Sequence, residues 1–345
     1  MKTFTKDMAN ILAPMPIKRD LGYGQNAPGE IFLANSSRFS EAEYSEPLTT
    51  YAASWTDAGG GNGESTKDTL EFIAPAVIGV PRKFEFSRFN NAEAFMSETD
   101  DVRAIGQNFN LVEYTSEKQL ARVVNKGLGI RVDDDNVEDQ PMWRERYTGM
   151  LMERLMRNEL RRAFAYLLAS ATQTAKTWST GAVDPDQDLR KAVEAYAGDG
   201  TTSNGAGVYP NRAIIGASAW VARQGIFRAQ NTAGAYASAA MTEAEVAKML
   251  MLDEVRVSKE RYQSANATPM KKPILGQYAL IFLAKKGASP FDPSNIKRFV
   301  SSTDGGTPFR VYEQRLNAHT VELSVEHYSN IIITGNIGIQ ALVIS

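Results

Sequence analysis

The longest regular pattern of hydrophobic and polar residues runs from residue 139 to residue 173. Apolar side chains recur there every three or four positions, with arginines, glutamates and other polar residues between them. This spacing predicts one amphipathic helix over 139–173. Asp139 and Pro141 favour its start, because an aspartate can cap free N–H groups and a proline in the first turn loses no hydrogen bond. With a rise of about 1.5 Å per residue, the helix would be roughly 50 Å long.

The residues before position 80 show no comparable pattern. Small and polar residues dominate from 35 to 69, and five consecutive residues at 59–63 include four glycines. Aromatic and aliphatic residues appear only at wide intervals. This texture predicts an extended arm whose apolar residues dock on another surface, with the glycine-rich tract as a flexible joint.

Short runs rich in β-branched and aromatic residues follow the arm. They cover residues 70–73, 77–80, 84–89, 109–114 and 122–124. Each run predicts a strand, and 84–89 alternates apolar and polar residues strictly. The acidic stretch 90–101 lies between the runs 84–89 and 109–114. With 122–124, these runs predict a long two-stranded ribbon that has the acidic stretch as its charged tip. Because an isolated ribbon is only marginally stable in water, its missing contacts are expected on a neighbouring subunit.

The second half of the chain predicts an α/β module followed by a sheet. Helical and strand patterns alternate from residue 184 to residue 302, and the last forty residues are almost all strand. The terminal strands are expected to form the sheet on which the long helix lies, so that the α/β module is an insertion. The fold class is therefore α+β.

Composition and motifs narrow the function. The formal net charge is −2, which gives no overall basic signature for nucleic-acid binding, and the absence of cysteine excludes disulfides and thiolate metal sites. Neither a signal peptide nor an apolar run of membrane-spanning length is apparent, so no membrane association is expected. His319 and His327 are the only histidines, and both are expected to be sheet residues. We predict no catalytic, cofactor-binding or metal-binding residues and no enzyme activity.

An acidic run lies just before the long helix. Asp133, Asp134 and Asp135 could begin a calcium-binding loop, but such a loop needs glycine at its sixth position, where Glu138 stands. The favoured interpretation is that the acids complement the positive end of the helix dipole.

Six stretches share a characteristic order and spacing. They are 95–106, 126–134 before the long helix, Glu159 and Ala163 within it, 209–215 before Trp220, 243–257, and 331–335. This order resembles that of the major capsid proteins of tailed bacteriophages with the Hong Kong 97-type fold. The resemblance covers about residues 70–345 and consists of pattern and spacing.

The resemblance implies a long spine helix, residues 139–173, packed on a β-sheet, with an extended β-hairpin loop and an inserted α/β axial domain. By region, it implies an N-terminal arm at 1–79, an extended loop at 84–118, a peripheral domain at 119–183 and 303–345, and an axial domain at 184–302. Because Lys83 and Lys118 lie near the loop base and no lysine lies at its tip, we expect subunits to join without covalent cross-links.

The implied function is self-assembly into an icosahedral shell that encloses viral double-stranded DNA. The implied partners are copies of the chain in pentamers and hexamers, the packaged DNA, and separate scaffolding, portal and decoration proteins. The shell would assemble in the host bacterial cytoplasm and become part of the virion. An encapsulin-like nanocompartment shell around a cargo enzyme is the alternative.

Four arginines of the long helix are candidates for the surface that faces DNA. Arg154, Arg157, Arg161 and Arg162 could contact phosphate groups without reading bases. Equally, they could form the solvated face of the helix. The sequence leaves these two interpretations open.

Overall fold

The computed structural model describes residues 43–55, 66–88, 117–179, 183–198, 205–230, 232–263, 270–287, 289–290, 292–301 and 308–345. The helices within these ranges are α1 (Glu46–Ser54), α2 (Thr66–Ile73), α3 (Trp143–Ser170), α4 (Pro185–Ala197), α5 (Ala217–Ala229), α6 (Ala233–Ala240) and α7 (Glu243–Met249). The strands are β1 (Glu43–Tyr44), β2 (Ala76–Ile78), β3 (Lys83–Arg88), β4 (Glu117–Arg122), β5 (Val124–Asp133), β6 (Thr172–Lys176), β7 (Arg212–Gly216), β8 (Glu254–Ser258), β9 (Arg261–Gln263), β10 (Lys271–Pro273), β11 (Tyr278–Phe282), β12 (Ile296–Val300), β13 (Phe309–Arg315), β14 (Thr320–Ile333) and β15 (Gln340–Ile344). The α+β class is confirmed.

The long helix α3 spans 28 residues and is shorter than predicted at both ends. The expected cap is wrong: Met142 occupies the cap position in a left-handed conformation, without a side-chain cap hydrogen bond. Residues 134–136 instead form a 3-10 turn whose cap is Asp133, and Pro141 lies before the helix. At the other end, Thr172 leaves the helix because it pairs with Gln340 of β15.

Strand β14 is the centre of a six-stranded sheet. It pairs with β13 over 321–327, with β12 over 329–333 and with β5 over 320–329; β1 and β2 complete the sheet as partners of β13 and β12. Side chains of β14 alternate between buried and partly exposed, which identifies the face that packs against α3. Leu160, Phe164, Leu323 and Val325 belong to the shared core.

A second sheet has five strands in the order β6-β15-β11-β7-β8. The expectation that the last forty residues form one sheet is therefore wrong, because β15 pairs with β6 and β11 and not with β14. Conversely, β12 was expected in the inserted module but pairs with β14. The division into an arm, an extended loop, a peripheral domain and an axial domain stays a prediction, and these two strands pair across its proposed boundaries.

The segment 70–73 is not a strand, because it is the last turn of helix α2. Leu70 and Ile73 are fully buried in the core that α2 shares with the long helix, and this packing selects the helical spacing. The next predicted strand, 77–80, is a strand in the structure with different ends, because β2 covers Ala76–Ile78.

A two-stranded hairpin lies at the base of the predicted ribbon, but its return strand is β4, Glu117–Arg122, and the predicted run 122–124 spans the break between β4 and β5. Strands β3 and β4 pair antiparallel from Lys83↔Arg122 to Arg88↔Glu117. Phe84 packs on Phe299 of the protein's own six-stranded sheet, with ring centroids 4.4 Å apart. The predicted strand 109–114 and the acidic tip lie outside the described residues.

Candidate functional site

Three of the four candidate arginines line one groove. Residues from the polar face of α3 and from the hairpin β9-β10 form its walls, and its volume is about 660 Å³. We call it the basic groove, and its lining residues are Leu128, Arg154, Arg157, Asn158, Arg161, Arg261, Tyr262, Gln263 and Lys271. Arg162 lies outside the groove and pairs with the buried carboxylate of Glu159.

Contacts within the protein engage part of this groove. The Arg157 guanidinium lies 2.6 Å from the Glu153 carboxylate and 3.8 Å from that of Glu260. Arg161 stacks over the Tyr262 ring at 4.2 Å, and burial lowers its pKa below the usual arginine range. Arg154 is exposed, and no described residue forms a hydrogen bond or ion pair with it.

Arg261 and Lys271 are groove residues that sequence reasoning missed. They lie about a hundred positions beyond the helical arginines and reach the groove because β9 and β10 pair as a hairpin, with Lys271 opposite Gln263. The available signal was two short basic segments, 259–263 and 271–273, on either side of a polar stretch. Nothing in that pattern indicated that the hairpin lies against the long helix.

A second charged cluster lies beneath the helix, and we call it the Glu159 joint. It consists of Glu159 on α3, Lys126 on β5, His327 and Ser329 on β14, Arg298 on β12, and Arg162. Glu159 is fully buried; its carboxylate lies 2.8 Å from the Lys126 ammonium and 2.6 Å from the Arg162 guanidinium. Ser329 donates a hydrogen bond of 3.3 Å to the same carboxylate. One helix residue thus ties α3 to two strands.

Electrostatics favour the ionised form of Glu159. Burial by itself would raise the pKa of Glu159, but the surrounding basic groups, Lys126 foremost, outweigh that effect and hold the pKa below its usual value. Burial lowers the pKa of Lys126, and the attraction of Glu159 opposes that change. Because Glu159 is inaccessible to solvent, its carboxylate cannot meet a substrate, and the geometry assigns the joint a structural role.

His327 lies inside the joint as a neutral ring. Its Nε2 atom is 3.9 Å from the Glu159 carboxylate, and its ring packs on Phe309 at 5.3 Å between centroids. Neither ring nitrogen has a hydrogen-bond partner among the described residues. Burial lowers its pKa to about 4, although Glu159 opposes the shift. His327 is a sheet residue as predicted, whereas His319 lies in an exposed turn before β14, so its assignment to the sheet is wrong.

Residues 133–139 form a compact acidic turn in front of α3. The Asp133 carboxylate accepts a hydrogen bond from the Asp135 amide at 3.1 Å, and Arg315 pairs with Asp134. The Asp134 amide donates to the His319 carbonyl at 2.7 Å, which fixes the turn to the loop before β14. Among the described residues, no group of three or more acidic or histidine side chains could hold a metal ion. None of the described helices combines the length and apolar character needed to cross a bilayer.

Comparison with known proteins was informative only at the level of structure. No protein-family model matches the chain, and no curated protein gives a significant sequence match. A phage-related protein from Bordetella bronchiseptica RB50 is 14% identical, with a TM-score of 0.62 over 87% of this chain and 97% of that chain.

Two phage structures align over similar lengths. The asymmetric unit of the bacteriophage PhiM1 mature capsid is 10% identical, with a TM-score of 0.51 over 84% of this chain and 90% of that chain. A structure from Microbacterium phage Oxtober96 is also 10% identical, with a TM-score of 0.50 over 84% and 93% of the two chains. At these identities the likeness defines the fold. The chain has the Hong Kong 97-type fold of phage capsid proteins, as its sequence pattern predicted.

Proposed function

We propose that this chain is a major capsid protein that self-assembles into an icosahedral shell around the double-stranded DNA of a tailed bacteriophage. The observation that carries the proposal is the likeness to the PhiM1 mature capsid, which extends over 84% of this chain. A shell protein acts by making contacts with its own copies, so the role requires no reaction and no cofactor.

Exposed apolar side chains near the base of the ribbon support this proposal. Ile78 is 65% exposed, Leu120 is 74% exposed and Val124 is 45% exposed. Ile78 and Val124 lie on β2 and β5 of the six-stranded sheet, and Leu120 lies on β4 of the ribbon. A backbone hydrogen bond from Val123 to Arg82 joins the two sheets at the base of the ribbon. Exposed apolar groups gain free energy when another protein surface covers them, and neighbouring subunits would do so.

The shell would assemble in the bacterial cytoplasm and become the virion head, with portal, scaffolding and decoration proteins supplied as separate chains. Contact of Arg154, Arg157, Arg161 and Arg162 with the enclosed DNA stays a prediction. Such contact would be independent of base sequence and would weaken as salt concentration rises. Arg157 and Arg162 already pair with carboxylates of the same subunit, which reduces the positive charge that they offer to phosphate.

Electron microscopy of the purified protein tests the proposal. We expect hollow icosahedral particles, or rings of five and six subunits that convert to particles as protein concentration increases. Particles from phage-infected cells should protect DNA from nuclease. Particles that contain a cargo enzyme and no DNA would favour the nanocompartment, and a protein that stays monomeric at high concentration would contradict both shell functions.

Closure of the shell is expected to be non-covalent. Intact particles boiled in sodium dodecyl sulfate should migrate at the mass of one chain, 37.9 kDa. The physical reason is that no lysine lies in the segment 89–116, from which a covalent bridge would start. A ladder of multimers on the gel would contradict this expectation.

A further inference from the structure

The basic groove retains unpaired positive charge in the subunit. Arg154, Arg261 and Lys271 are exposed, and none of them has a hydrogen-bond or ion-pair partner within the part of the chain that the structure describes. The side chains of Leu128 and Tyr262 add apolar surface to the same groove. A partner that fits it would carry several carboxylates or phosphates around an apolar group.

The acidic turn presents a surface of the opposite kind. Asp135, Glu138 and Asp139 are exposed and have no side-chain partner among the described residues. Beside them Met142 is 71% exposed, and its φ of 61° is unusual for a residue with a side chain. The turn is preorganised by backbone hydrogen bonds from Val137 to Asp134 and from Gln140 to Val137, so ordering it on a partner costs little entropy.

The turn cannot fill the groove of its own subunit. Helix α3 begins at Trp143, and Arg154 lies eleven residues further along it. At about 1.5 Å per residue these positions are roughly 16 Å apart along a rigid helix, and Arg161 is further still. Any contact between the turn and the groove must therefore join two copies of the chain.

We propose that the acidic turn of one subunit docks in the basic groove of the next. Asp135, Glu138 and Asp139 face Arg154, Arg261 and Lys271, while Met142 packs against the apolar surface of Leu128 and Tyr262. Because the two surfaces differ, the contact is head-to-tail, which closes rings when the rotation between subunits permits. This inference rests on the proposed shell function and assigns one of its subunit contacts to specific residues.

The groove fits a protein surface better than a phosphate backbone. Glu153 and Glu260 lie beside it and pair with Arg157, which reduces the positive charge that the groove offers to a continuous phosphate backbone. The apolar side chains of the groove also match an anchor such as Met142, whereas a DNA backbone offers nothing comparable.

Charge reversal on each surface tests the contact. One variant carries Glu138→Lys and Asp139→Lys, a second carries Arg261→Glu and Lys271→Glu, and a third combines all four changes. A control carries Lys191→Glu and Glu194→Lys, which reverse exposed charges on α4, a helix that belongs to neither surface. Light scattering at low salt gives the concentration at which each protein associates, and electron microscopy identifies the product. Circular dichroism melting checks that each variant is folded.

Each one-sided variant is expected to need at least about tenfold more protein to associate than the wild type, because like charges then face each other. The four-change variant should return to within about threefold of the wild type, and the control should match it. The inference fails if both one-sided variants form shells normally, if the combined variant is not restored, or if the groove variant loses only its affinity for double-stranded DNA. In contrast, head-to-tail oligomers that respond to charge reversal but never form closed shells would contradict the shell function alone.

Discussion

Replacing Glu159 with glutamine is expected to lower the free energy of unfolding of the unassembled subunit by about 3–5 kcal/mol. The change keeps the size of the side chain but removes the charge that balances buried Lys126 and stabilises Arg162 and Arg298. Removal of this carboxylate takes the counter-ion from the Lys126 ammonium, which is mostly shielded from solvent, and this costs more than an ion pair contributes by itself. Chemical denaturation at pH 7, followed by circular dichroism, measures the loss.

Glu153→Gln on the same helix is the matched control. Glu153 pairs with Arg157 four residues later, but the Glu153 side chain is 41% exposed, so the expected loss is below about 1 kcal/mol. A second comparison adds Lys126→Met to Glu159→Gln. If the joint is a coupled unit, the double variant will be more stable than the sum of its two single losses predicts. Equal losses for Glu159→Gln and Glu153→Gln would contradict the structural role of the joint.

The contrast between these glutamates shows what the sequence could predict. Apolar spacing alone identified the long helix, because the stripe that packs on the sheet recurs with the helical period. It could not identify Glu159 as a buried residue, since its partners Lys126 and Ser329 lie 33 and 170 positions away. From sequence alone, a glutamate in an amphipathic helix is expected to face solvent, and only the position of the neighbouring strands shows that it is buried.

Local patterns failed where distant strands decide the structure. Residues 70–73 fit a short strand and a final helical turn equally well, and packing against α3 selects the helix. The terminal run 340–344 had the correct strand pattern, but no local feature could indicate that it pairs with Thr172–Lys176. In the basic groove, three arginines of one helix were found by their spacing, whereas Arg261 required the hairpin to be placed beside them.

His327→Leu is expected to flatten the dependence of stability on pH between about 6.5 and 4. In the folded protein, burial lowers the pKa of His327 to about 4, whereas the ring in the unfolded chain titrates near 6.5. As pH falls through this range, the unfolded state binds a proton that the folded state does not, so the wild type loses stability. The difference of about 2.5 pKa units corresponds to a loss of about 3 kcal/mol.

The groups around His327 explain why the folded state resists protonation. Lys126, Arg162 and Arg298 already place three positive charges near the ring, against the single carboxylate of Glu159. A protonated ring would add a fourth positive charge in a region without solvent. Between pH 7 and pH 4, the unfolding free energy of the wild type, measured by denaturation at several pH values, should therefore fall by about 3 kcal/mol more than that of His327→Leu. The control variant His319→Gln changes an exposed ring and should follow the wild type. Parallel curves for wild type and His327→Leu over the whole range would mean that the buried ring is protonated without cost, in contradiction to the geometry of the joint.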